Sequence, residues 1–185
     1  ANINWEELNV KDSLRRVRVY ELLDEGAVKT SKDYYHAAMV FQHGDDTSHY
    51  GMAVKLMKKS IELDSTANKW LLAAATDRYL RSKGEPQIYG TQYIKMRGGP
   101  WLLADLDSTV ITDAERIEFG VETLAQQKEK VRTLNRKSLY SLYEDGKSIE
   151  EIITIIKNED KADPIYNISE GGINRFGYEL SLIHI

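Results

Sequence analysis

Residues 66–92 read TANKWLLAAATDRYLRSKGEPQIYGTQ, and the reading of this stretch decides the fold. Trp70, Ala73, Ala74, Asp77 and then Leu80 or Arg81 recur at helical spacing, so one face is apolar except for Asp77. Ser65 or Thr66 is placed to cap the start, and Gly84 supplies the left-handed residue that ends the helix. Pro86 keeps the helix from resuming. From Gln87 to Gln92 the chain is a loop dense in hydrogen-bonding groups.

Asp77 is the informative residue. A buried carboxylate costs several kcal/mol unless it is paired or hydrogen-bonded. The nearest donors in sequence are the amides and side chains of Gln87–Gln92, with His43 as a further candidate. A structural reading makes Asp77 a staple for that loop. A functional one makes it a general acid or base in a cleft, with His43 beside it. Arg78 is next to Asp77 in the chain and points about 100° away around the helix, toward its own ion pair or an anionic ligand.

Outward from this stretch the pattern stays helical. Leu14, Val17, Tyr20 or Glu21 and Leu22-Leu23 predict a helix over 12–24, ended by Gly26. Ser31 can cap a second, with Tyr34, Ala37, Ala38 and Phe41 on its core side. Asp46 or Thr47 opens a third, through Glu62, with Tyr50, Ala53, Val54, Met57 and Ile61 inward. Lys55, Lys58 and Lys59 line its other face, read as a solvated surface in preference to an anion site. Residues 91–105 read as a small β-hairpin around Gly98-Gly99. Helical pattern returns at 112–119, at 123–134 with a continuation through Tyr143 left open, and after Ser148, and a last helix begins at Ser169. The expected fold is mainly α: antiparallel helical hairpins, tetratricopeptide-like in architecture, with one β-hairpin. The expected organisation is a helical domain over 1–134 and a truncated helical extension over 135–179. Residues 180–185, LSLIHI, are what the transposon end of common sequencing adapters encodes, and are read as a scar. A chain that opens at Ala1 without an initiator Met is read as having lost a leader or as incomplete.

Composition bounds the function. The net charge of −4 offers no basic footprint, so nucleic-acid binding is disfavoured. No apolar run approaches the roughly 20 residues that a membrane span needs. Without cysteine there is no thiol nucleophile and no cysteine zinc site, which suits a soluble protein of the cytoplasm or periplasm. His36 and His43 lie two turns apart and share a face, about 10 Å along the axis, where ligands on adjacent turns would converge better on one metal. His43, Asp45 and His49 would need the Gly44 turn to fold back on itself. No metal or cofactor is expected.

Leu102–Val110, LLADLDSTV, matches the strand-then-DxDxT pattern of haloacid-dehalogenase-type phosphatases, with Asp105 and Asp107 as the aspartates. That fold needs further parallel strands, and the sequence downstream is helical, so Asp107-Ser108 is read as a turn.

Three blocks together carry a family resemblance. They are Tyr34–Ala38 running into Phe41-Gln42-His43-Gly44-Asp45, then Trp70-Leu71 with Ala73-Ala74 and Asp77-Arg78-Tyr79-Leu80, then Gly84, Pro86-Gln87 and Tyr89-Gly90-Thr91-Gln92. The combination resembles a bacterial family known only as a domain of unknown function, over residues 12–134 and through the TDAER segment at 112–116. The resemblance implies a mostly helical domain of bacterial origin and brings no activity. Ser169–Leu180, SEGGINRFGYEL, resembles the opening helix of tetratricopeptide-like tails on many Bacteroidetes proteins.

Two functions stay open. The preferred one is a binding or scaffolding module for a protein or small-molecule partner, using Gln42, His43, Asp45, Asp77, Arg78, Gln87, Tyr89 and Gln92. The alternative is a hydrolase-like enzyme with His43 and Asp77 catalytic and Gln87, Tyr89 and Gln92 orienting substrate.

Overall fold

The computed structural model describes residues 4–183. Among them the fold is mainly α, nine helices with one two-stranded antiparallel sheet. The chain forms two compact units, Ala1–Lys128 and Glu129–Ile185.

The first unit opens with α1 (Trp5–Asp24), α2 (Ser31–Gln42), α3 (Thr47–Leu63) and α4 (Trp70–Ser82). α1 starts well before Asp12 because the Asn4 side chain caps it, accepting the Glu7 amide. The α2 cap is Thr30 rather than Ser31, in a reciprocal box with Asp33. α3 is capped by Asp46, as its position before the apolar pattern predicts.

The start of α4 differs from the sequence reading. Thr66 does not cap it, since its amide and hydroxyl both bond the Asp64 carboxylate in a local turn. Asn68 instead accepts the Trp70 amide, and the helix begins there. Trp70 is 40% exposed, so it is not on the buried face, which Leu71, Ala73, Ala74, Ala75 and Asp77 form.

Helix α2 packs along α3, and α3 along α4. The core between them is Ala38, Phe41, Ala53, Leu56, Met57, Leu71 and Ala75, all almost fully buried. Alanine at the crossings allows close backbone approach, and Phe41 fills the centre with its ring edge-on to Tyr20 of α1. Gly84, at φ +77°, ends α4 and turns the chain back toward it.

Strands β1 (Tyr93–Lys95) and β2 (Trp101–Leu103) pair antiparallel, Ile94 opposite Leu102. β2 pairs with no other strand among the described residues, so Asp105 and Asp107 crown no parallel sheet. The Asp107 carboxylate accepts the Thr109 hydroxyl and amide, which also hold its pKa low, as in a turn. The phosphatase-like pattern is therefore a turn sequence. α5 (Asp113–Glu118) is opened by a Thr112–Glu115 capping box, and α6 (Leu124–Asn135) comes after it.

The second unit contains α7 (Leu139–Glu144), α8 (Ile149–Asn158) and α9 (Glu170–Ile183). Leu139, Leu142, Ile152 and Phe176 form its core, with Leu180 packed against them. Leu182 is exposed, while His184 and Ile185 of the suspected scar lie outside the described residues.

Ala53 sits fully buried where α2 and α3 meet. Ala53→Leu should lower the stability of this unit by about 1–3 kcal/mol, read from urea unfolding followed by circular dichroism.

Candidate functional site

The loop after Gly84 is held from two sides by opposite charges. Asp77 is fully buried, and both its oxygens are occupied. Oδ1 accepts the amides of Ile88 and Tyr89, each at 2.9 Å. Oδ2 accepts the Thr91 amide at 2.9 Å and the Thr91 hydroxyl at 2.7 Å. Charge-assisted bonds of this kind contribute about 1.5–3 kcal/mol each. Every donor comes from the loop. His43 contributes none: it is an exposed residue at the end of α2.

Arg116 holds the same loop from the other side. Its guanidinium, 2% exposed, donates to the carbonyls of Ile88 and Tyr89 at 3.2 Å and to the Asp113 carboxylate at 3.1 Å. The Gln127 side-chain amide adds a second bond to the Tyr89 carbonyl and one to the Glu122 carbonyl, both at 2.8 Å. The peptide unit joining Ile88 to Tyr89 therefore points its N–H at an anion and its C=O at a cation. N–H and C=O lie on opposite edges of a trans peptide, so one dipole serves both charges.

Gln87 closes the loop on itself. Fully buried, it donates to the carbonyls of Gln92 and Ala104 and accepts the Gln92 amide. Its backbone bridges to Asp105 and Asp107, tying the loop to the chain leaving β2. Gly90 is required twice over. Its φ is +89°, and a Cβ there would fall 2.0 Å from Gln127 Oε1. Tyr89 is buried against Phe119, and burial, with Asp77 nearby, raises its phenol pKa.

The remaining candidates do not join this network at Asp77. Gln42 is buried and accepts from Arg78 Nη1 at 2.7 Å. Arg78 is half-buried, and its bond to neutral Gln42 is matched by no ion pair among the described residues. Burial lowers its pKa from the ordinary guanidinium value. The half-buried Gln92 side chain donates to the Thr91 hydroxyl at 2.8 Å, one bond removed from Asp77.

Asp45 extends into solvent, 3.0 Å from His49 and 4.0 Å from buried Arg16. Asp45, Asp46 and His49 bring donor atoms within 4.8 Å of one another, without His43. The Asp46 carboxylate is already committed to capping α3, and the His49 amide and Ser48 hydroxyl lower its pKa.

Sequence reasoning missed Arg116 and Gln127 as partners of the loop. The Thr112-x-x-Glu115 capping box signals where α5 begins, and so which face Arg116 takes. Nothing local signals Gln127. No protein family, curated protein or solved structure that was compared with this chain matches it. Among the described residues no helix is long and apolar enough to cross a membrane.

Two outcomes test the network. Asp77→Ala strands three amides and a hydroxyl, and should cost about 2–4 kcal/mol in urea unfolding. Asp77→Asn should fall between, since one carbonyl oxygen remains while its NH2 opposes a Thr91 donor. An unchanged unfolding midpoint for Asp77→Ala would show that the loop holds itself. Next to this loop, burial, aided by Glu122, pushes the Tyr93 phenol up to about 12. The unfolded phenol ionises near pH 10, so above that pH the unfolded state binds fewer protons than the folded one. Stability should therefore fall as pH rises from about 10 toward 12, and the decline should be shallower in Tyr93→Phe.

Proposed function

We propose that this chain is a helical binding module, and a member of the bacterial family whose sequence signature it resembles. The observation that carries the reading is the saturation of Asp77. A general acid or base must have a lone pair or proton free to face a substrate, and both Asp77 oxygens are occupied by four loop donors. The alternative hydrolase needs His43 within reach of Asp77, and the donors at Asp77 all come from the loop. Gln87 is spent in the same way on backbone groups. Family membership is supported by what the signature residues do. Asp77, Gln87, Tyr89, Gly90, Thr91 and Gln92 build one buried network, and Gln42 bonds Arg78 beside it. A signature of this kind specifies a braced scaffold, on which exposed helix faces are left for recognition.

The test is turnover. The purified chain, offered chromogenic carboxylic esters, phosphomonoesters and glycosides, should show no rate above that of His43→Ala. A rate that His43→Ala abolishes with the circular dichroism melt unchanged would establish the hydrolase instead.

A further inference from the structure

We propose that the groove between α1, α2 and α3 docks an acidic amphipathic helix of a partner protein, making the binding surface selective for carboxylate-bearing segments. The groove encloses about 650 Å³, within the roughly 300–1,000 Å³ range of binding pockets. Its floor is apolar: Leu23 from α1, Tyr34 from α2, and Met52 and Leu56 from α3, with Tyr20 at the side. Tyrosine offers rigid contact area with a polar tip, and methionine adapts its shape to what it meets.

The α3 edge is basic. Lys55, Lys58 and Lys59 border the groove, and Lys59 is held by Glu62 at 2.7 Å. Lys55 and Lys58 are exposed and form no ion pair among the described residues. The same two lysines border a second hollow of about 350 Å³ on the α4 side, formed with Gly51, Val54 and Tyr79. They therefore stand on a ridge between two concavities, with stems available to cover apolar surface and ammonium heads beyond it. Asp24 on the α1 wall gives the groove opposite charge on its two sides, which sets the direction of a bound segment.

The occupant is set by this geometry. Lys55 and Lys58 are three residues apart on one helix, a rise of about 4.5 Å. Carboxylates three or four residues apart on a second helix repeat that spacing, while leucines on its other stripe reach the apolar floor. Across such an interface the charges supply selectivity and the apolar floor supplies most of the affinity. A basic segment would meet two unneutralised lysines, and a purely apolar one would leave them without a counter-charge.

The proposal rests on the binding-module reading, and its test is distinct from the turnover test. The probe is a fluorescein-labelled peptide of roughly 16 residues, a little over four helical turns, with leucine at i, i+3, i+4 and i+7, glutamate on the flank that meets Lys55 and Lys58, and glutamine on the flank that meets Asp24. Fluorescence anisotropy with the full chain should show binding that weakens as salt is raised. The double variant Lys55→Glu/Lys58→Glu, whose positions are exposed and whose fold is checked by circular dichroism, should bind at least about tenfold more weakly. The same peptide with lysine in place of glutamate should prefer the double variant to the wild type. Equal binding of both peptides to both proteins would overturn the proposal in favour of an uncharged apolar ligand. No binding of the acidic peptide would overturn it outright. A change of oligomeric state in the double variant, seen by analytical ultracentrifugation without peptide binding, would overturn it by assigning the groove to a second copy of the chain.

Discussion

A buried carboxylate and a buried guanidinium share one peptide unit at the centre of the first unit. Asp77 receives the N–H of the Ile88–Tyr89 peptide and Arg116 donates to its C=O. Each ion would be costly in the interior alone. Here the desolvation of both is offset by fixed backbone groups, which in turn find the partners that a loop folded away from water needs. The arrangement makes charge burial and loop burial a single problem with one solution. It also makes the parts interdependent, since removing either ion strands buried groups that the other cannot satisfy.

That interaction organises its surroundings. Asp77 anchors the loop to α4, and Arg116 anchors it to α5, whose start is set by the Thr112–Glu115 capping box. Gln87 then fastens the same loop to the chain leaving β2. A two-stranded hairpin is marginal by itself in water. In this unit it is held at its root by the backbone bonds that Gln87 and Gln92 make with Asp105, Asp107 and Ala104. Small residues complete the fit: Gly90 leaves room for Gln127, and the alanines of α2, α3 and α4 let those helices approach closely.

With both its oxygens taken by loop donors, the Asp77 carboxylate is poorly suited to proton transfer, which requires a group left partly unsatisfied until substrate arrives. It is well suited to holding helices rigidly. The exposed groups with unused capacity lie elsewhere, on the lysine ridge of α3 and its apolar hollows. Helices whose buried faces are fixed in a core lose less backbone freedom on binding than loops do.

Much of this was legible in the chain alone. Apolar spacing and glycine stops located most of the helices, though not the first turns of α1 or the break that makes α7 separate from α6; Gly98-Gly99 located the hairpin, and a lone aspartate on an apolar stripe announced a buried anion with donors nearby. Local signals of this kind are written in residues a few positions apart, where helical period and turn chemistry act. The start of α4 was less legible, because Asp64 takes the Thr66 amide and hydroxyl into a local turn and leaves Asn68 to accept the Trp70 amide. Which donors reached Asp77, that Arg116 and Gln127 closed the loop from the far side, that His43 stayed out, and that Lys55 and Lys58 flank a hollow were decided only by the tertiary structure. These depend on which faces of distant helices meet, and that is settled by packing across the whole unit rather than by any residue's near neighbours.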